Sequence, residues 1–374
     1  MNMPAFKPVS LFLPKNPHEQ VMRSLDDYDR EEILALKSHQ KQGFIHIIQP
    51  EPKPQEKNIE IRKKWAHAVN EQQYLLKNEG VYLYKMNCEG RVYRGIIGAC
   101  LTSDFEMGAI TQHEKIYSQR VELMADYLKT VQIQAEPVMV IHEDPIDSKI
   151  DFTQIEKRTS VLNFNFEKTH HQLWELNKEE RKLLESWCRS QPHFHLADGH
   201  HRVASMIHLS HQKKHPAPIS CFLVHQSQFQ LYSFVWYLKR CESDLDIEHL
   251  LQVVLLHQGK RIDLDPKATT DFEIIVKIRD TYYGLEGSLS NPPAFINQNL
   301  LAAEPKLAES LHYQPDTNQK IDFKKWENFD IVFFMKPITK KRLFDLVKKG
   351  ENLPAKSTYI LPKILTGLYV SPIE

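Results

Sequence analysis

The sequence predicts an α+β fold, mixed sheets with helices packed against them, and three observations carry that reading. Strand-like runs arrive as neighbours: residues 81–86 beside 92–101, and 274–278 beside 282–285. Apolar residues at helical spacing recur between them, at 30–43, 116–128, 179–189 and 247–256. The order of these elements lacks the strict strand–helix–strand alternation of a parallel α/β protein. With 374 residues the chain is long enough for two domains, and a change of texture after Cys241 divides it into 1–241 and 242–374.

Each element has its own signal. Asp29 and Glu32 have capping-box spacing and open a helix that ends near Gly43. Residues 44–48, FIHII, read as a strand, and Pro50, Pro52 and Pro54 as a turn. Ile61, Trp65, Val69 and residues 72–76 keep helical period up to Gly80. The runs 81–86 and 92–101 then make a hairpin through Cys88, Glu89, Gly90 and Arg91. In the helix 116–128, Val121, Met124, Ala125 and Leu128 share one face, and residues 138–141 form a short strand. The amphipathic helix 179–189 leads through strand-like 194–196 into Asp198, Gly199, His200, His201 and Arg202, after which Val203, Met206, Ile207 and Ser210 resume helical spacing. Strands follow at 219–224 and 231–238, and a last unit runs from Phe329.

Composition excludes several classes. Lys plus Arg and Asp plus Glu both number 48, so the formal net charge is zero, which argues against a nucleic-acid partner. Cys88, Cys100, Cys188, Cys221 and Cys241 are odd in number and contain no CxxC pair, the pattern of a reducing compartment. The opening apolar run is broken by Pro8 and Pro14 before it reaches signal-peptide length, and no run approaches a membrane span, so a cytoplasmic location without membrane partner is expected.

The densest chemistry lies at the strand-to-helix junction Ala197–Arg202. A helix N-terminus presents unpaired N–H groups and partial positive charge, suited to a phosphate. Gly199 permits close backbone approach, Arg202 offers a planar fork of donors, His200 and His201 can donate to the same oxygens, and Asp198 can orient a histidine or hold Mg²⁺ through water. The structural alternative is an Asp198 N-cap, a turn glycine and three solvated polar side chains. Zinc is not expected: His193 and His195 are spaced for a strand face, whereas His208, His211 and His215 are spaced for a helix face, and no familiar ligand set is completed. A second candidate is Thr111-Gln112-His113-Glu114. Thr111 and Glu114 have capping-box spacing before the helix 116–128, and Glu114 could equally act as a general base.

Four stretches in order give a resemblance: residues 44–51, 110–114, 196–204 and the closing 354–368 are similar to the motifs of the domain of unknown function ten-fifteen family. That family resembles the ParB/sulfiredoxin-like superfamily, whose members bind a nucleotide at such a junction, and its ADGHHR motif is similar to the phosphate-binding motif of free serine kinase. The resemblance implies a ParB/sulfiredoxin-like nucleotide-binding core, with Gly199, His200, His201, Arg202 and His113 binding phosphate or nucleotide, and Glu114 and Asp198 in the catalytic role. It also implies ADP or ATP with Mg²⁺ as cofactor. Thr111 and Gln112 stand where family members commonly carry basic residues, and residues 13–18 lack the family's early Pro-Pro-Tyr-Asp motif. Sulfiredoxin chemistry would need a cysteine within 198–202, and none is there.

The leading expectation is a phosphotransferase: a nucleotide-dependent kinase whose acceptor is a small hydroxyl-bearing metabolite, an amino acid such as serine. The alternative is a nucleotide-binding regulatory module without turnover. The closing stretch around Lys356 and Lys363 either lines the site or packs on the core, and packing is the leading reading because Tyr359, Leu361, Ile364 and Leu368 are largely apolar.

Overall fold

β-branched and aromatic residues pair where the hairpin was expected: Tyr82–Cys88 runs antiparallel to Arg91–Leu101, Tyr82 opposite Ile97 and Cys88 opposite Arg91. Gly90 turns the chain between them with φ of +83°. The structure is a computed structural model that describes residues 4–50, 56–88, 90–114, 116, 118–241, 244–262, 272–287, 289, 291–302, 305–317, 321–351, 353–354 and 356–373. The fold is α+β, with two compact units: Met1–Gln112, Ile116–Phe229 and Pro362–Glu374 make the first, His113–Lys115 and Gln230–Leu361 the second.

The first unit is built on a mixed eight-stranded sheet in the order Ile110–Thr111, Phe194–Asp198, Val138–His142, Pro218–His225, Arg91–Leu101, Tyr82–Cys88, Thr169–Glu175 and Leu162–Phe166. Phe194–Asp198 is parallel to Ile110–Thr111 and antiparallel to Val138–His142. The run Pro218–His225 is buried almost throughout, which accounts for its near-continuous apolar sequence. Leu83, Val140, Leu196 and Leu223 of the sheet share a core with Leu128, Leu184, Trp187, Val203 and Met206 of three helices. Those helices are Ser118–Val131, Lys178–Ser190 and His200–Lys213. The expected capping box is present: Asp29 accepts from Glu32 N at 2.8 Å and Glu32 accepts from Asp29 N at 2.9 Å, opening Arg30–His39.

Three local expectations are corrected. Residues 44–48 are a helical turn, Ile45–Ile48, in which Ile48 N donates to Phe44 O at 3.1 Å. Phe44, Ile45 and Ile47 are all buried, and so short an apolar run carries no period that separates a turn of helix from a strand. Residues 72–76 do not continue a helix: Lys57–Asn70 stops, Gln72 takes φ of +54°, and Tyr74–Gly80 pairs antiparallel with Val9–Pro14. The Thr111–Glu114 capping box does not form either. Thr111 ends a strand, Glu114 bridges to Leu353, and the helix begins at Ser118. Pro52 and Pro54 of the expected turn lie outside the described residues.

The second unit carries a seven-stranded sheet whose main path is Lys260–Ile262, Thr281–Leu285, Ile274–Ile278, Ile331–Met335, Gln230–Leu238 and His312–Asp316. Tyr359–Leu361 adds to Gln230–Leu238. Trp236, Val276 and Phe333 pack with Leu250 and Val254 of the helix Asp244–Leu256. Among the described residues no helix is long and apolar enough to cross a membrane.

Candidate functional site

The junction is shaped by one glycine. Gly199 takes φ of +95° as the N-cap of His200–Lys213, and a Cβ there would stand 2.6 Å from Val138 Cγ1. A side chain at this position would therefore meet both left-handed backbone strain and a fixed neighbour. The cap is Gly199 and not Asp198, which corrects the structural alternative considered for this motif. Asp198 ends the strand, and its carboxylate is divided between two cations: Oδ1 faces Lys363 Nζ at 3.0 Å and Oδ2 faces Arg202 Nη2 at 3.0 Å. Burial acts to raise the Asp198 carboxyl, but Lys363 and Arg202 outweigh it and hold the group well below the usual carboxylate range.

Arg202 is braced as well as charged. Its Nη1 donates to Glu136 O at 2.9 Å and to Pro137 O, so the guanidinium ties the helix start to the chain that enters Val138–His142. His200 is buried at 3% exposure, and His201 and Arg202 are half-buried, so the motif is not the set of solvated side chains of that alternative. Lys363 belongs to the closing stretch, for which the sequence favours packing over lining the site. Leu368 does pack, at full burial, while Lys363 reaches back to Asp198.

Beside this junction lies a cavity of about 550 Å³. His201, Arg202 and Met206 line it from the His200–Lys213 helix, and Arg120, Met124 and Tyr127 from Ser118–Val131. Lys57 and Ile61 contribute from Lys57–Asn70, and Glu136 and Val138 from the approach to the sheet. The volume falls in the usual range for small-molecule sites, and the wall is mainly apolar, with Lys57, Arg120 and Arg202 among its polar residues together with Glu136, Asn58 and Gln134. An apolar wall accepts a flat ring system, and clustered cations beside a helix N-terminus accept an anion. Lys57, Arg120 and Glu136 were not singled out in the sequence, because nothing in their local spacing distinguishes them from solvated helix and loop residues.

His113 and Glu114 lie in the second unit. His113 is buried at 2% exposure, its carbonyl accepts from Leu353 N at 2.7 Å, and Glu114 pairs in parallel with Leu353. Thr111 is in the first unit, where its hydroxyl meets His195 Nδ1 at 2.7 Å. His208 and His211 are exposed on the helix His200–Lys213, as the solvated face expected of them, whereas His215 is exposed beyond the helix end, which falls at Lys213.

The chain belongs to the family described as Protein of unknown function (DUF1015), whose model matches residues 5–233. No curated protein matches it. Among solved structures, SbnI with C-terminal truncation from Staphylococcus aureus is similar at 12% identity and a TM-score of 0.42, covering 72% of this chain and 85% of its own. Free serine kinase in complex with AMP is similar at 13% identity and a TM-score of 0.42, covering 71% and 87%. A conserved hypothetical protein from Pyrococcus furiosus is similar at 14% identity and a TM-score of 0.41, covering 73% and 95%. Scores and identities of this size lie below the level at which one chain's chemistry transfers to another.

Proposed function

We propose that the cavity beside Gly199–Arg202 binds a nucleotide, and that the protein transfers its terminal phosphoryl group to a small hydroxyl-bearing metabolite, an amino acid such as serine. The observation that carries this reading is the cavity itself: a mainly apolar wall that Lys57, Arg120 and Arg202 help to line, beside the start of the helix His200–Lys213. His201 lines the same cavity, and the family resemblance adds Gly199, His200 and His113 as phosphate or nucleotide ligands. Phosphoryl transfer asks the protein mainly for alignment and charge neutralisation, and this donor set is of that kind.

In the reaction the acceptor oxygen forms a bond to the terminal phosphorus as the bond to the bridging oxygen breaks, releasing the nucleotide one phosphate shorter, ADP from ATP or AMP from ADP. Glu114 takes the hydroxyl proton. Both oxygens of Asp198 already face cations, so Asp198 acts by holding Arg202 and Lys363 in place. A Mg²⁺ bound with the nucleotide would add neutralisation of the phosphate charge. The ParB/sulfiredoxin-like relationship belongs to the same reading, as does a division of labour between an N-terminal nucleotide-binding region and a C-terminal region that begins near residue 241.

One observation favours the regulatory alternative. Thr111, standing where basic residues are common in the family, is engaged with His195 and brings no positive charge. Thermal shift with ADP or ATP, with and without Mg²⁺, tests binding. At about one hundred times the dissociation constant a ligand stabilises by roughly 2.7 kcal/mol, a rise on the order of 5–10 °C at about 2–4 °C per kcal/mol. Lys57→Ala with Arg120→Ala should reduce that rise without lowering the melting point of the free protein. Absence of any shift with adenine or cytosine nucleotides would overturn the proposal. A shift without phosphate transfer would leave the regulatory module.

A further inference from the structure

Glu143, His193 and His195 converge in the first unit, and none of them lines the cavity of the nucleotide proposal. His193 and His195 lie two apart and so share a face at the start of Phe194–Asp198, with ring centroids 4.8 Å apart. The antiparallel register sets His195 opposite Ile141, which carries Glu143, just beyond Val138–His142, to the side of His193. Glu143 Oε1 is 3.2 Å from His195 Nε2 and 3.9 Å from His193 Nε2, and one ligand atom from each residue lies within 4.8 Å of the others. We propose that these three side chains bind a divalent transition-metal ion, zinc by the donor set, with a fourth position left to water.

Two imidazoles and a carboxylate are a recognised zinc set, and three protein ligands with one open position mark the solvent-accessible kind of site. Tetrahedral ligands at about 2.0–2.1 Å from zinc stand roughly 3.3 Å from one another. The observed spacings close to that value by small rotations of Glu143 and His193, whose side chains are 40% and 34% exposed, around a His195 that is 3% exposed. The outer shell is in place. Thr111 Oγ1 is 2.7 Å from His195 Nδ1 and 3.3 Å from Phe194 O. When the hydroxyl donates to Phe194 O and accepts from Nδ1–H, the lone pair of Nε2 is turned toward Glu143, the tautomer a metal requires. The backbone of Glu143 is pinned too: its carbonyl accepts from His225 Nε2 at 2.8 Å and from Gln226 Nε2 at 3.3 Å. Histidine spacing alone had separated the strand pair from the helix histidines and ended there. The completing ligand comes from just beyond the end of the neighbouring strand Val138–His142, 50 residues upstream of His193.

The test uses full-length, tag-free protein stripped with a chelator and titrated with zinc alone. One zinc per chain is expected, retained through gel filtration. His193→Ala, at a part-exposed position that leaves the fold intact, and Glu143→Gln should each lose that zinc. Thr111→Val should weaken affinity about 10–100-fold, the usual effect of removing an outer-shell partner. A variant with His208, His211 and His215 all changed to Ala should bind as the wild type does, which excludes adventitious capture by surface histidines. Cobalt in place of zinc should give the intense visible bands of a four-coordinate ion. No retained zinc in the wild type, or retention unchanged in His193→Ala and in Glu143→Gln, would overturn the assignment.

Discussion

Removing the guanidinium of Arg202 should damage the fold as much as any phosphate site. The side chain is 22% exposed and donates to Glu136 O, Pro137 O and the Asp198 carboxylate. In Arg202→Ala two backbone carbonyls lose their donor and Asp198 keeps only Lys363. Each buried acceptor left without a partner costs about 1–3 kcal/mol, and water reaching a partly exposed site recovers some of it, so a total of about 2–4 kcal/mol is expected. At about 2–4 °C per kcal/mol for a unit of this size, the melting point should fall roughly 4–16 °C. Arg202→Lys keeps a charge for Asp198 but cannot span three acceptors, and should fall between the two. Urea denaturation followed by circular dichroism measures the loss as a shifted midpoint with unchanged slope. A variant that melts with the wild type would refute the bracing role and return Arg202 to a solvated phosphate ligand.

Gly199→Ala should cost about 1–3 kcal/mol, from left-handed backbone strain and the contact with Val138, and a melting point equal to the wild type's would contradict the geometry described for the junction. Burial pulls His142 down to about 3 and His171 down to about 4, so the unfolded chain takes up these protons first. Their contribution is complete above the ordinary histidine value near 6.5 and is lost as pH falls toward 4 for His171 and toward 3 for His142, a fall in stability that urea midpoints across that window should register and that His171→Phe should lessen. Glu114→Gln should fold and bind nucleotide normally yet lose about 10²–10⁴ in single-turnover phosphate transfer if the carboxylate is the general base, whereas full transfer by the variant would remove it from that role.

Periodicity was a sound guide wherever an element was long enough to show it. The hairpin 81–101, the helices within 116–131, 178–190 and 200–213, and the strand 218–225 all formed where the spacing put them. It failed at 44–48 and 72–76 for a common reason. Five apolar or mixed residues do not complete enough turns to separate periods of 3.6 and 2, and the decision passed to partners far along the chain. Phe44 N donates to Gln20 O, and Tyr74–Gly80 pairs with Val9–Pro14. The Thr111–Glu114 spacing failed differently: a capping box is a local pattern, and the parallel pairing of His195 with Thr111 took precedence over it.

From its residues alone this protein has a mixed α+β fold, a glycine at a strand-to-helix junction and a cluster of polar groups after it. These are properties of neighbours in sequence, governed by backbone sterics and helix-end hydrogen bonding. Only the tertiary structure decided that Asp198 would be held by Lys363, 165 residues away, and that Arg202 would spend its donors on Glu136 and Pro137. The same holds for Glu143 meeting His193 and His195, and for Lys57 and Arg120 sharing a cavity with His201. Charge pairing and ligand convergence act over a few ångströms, and which residues come within that distance is set by strand order and register, to which local sequence spacing is blind.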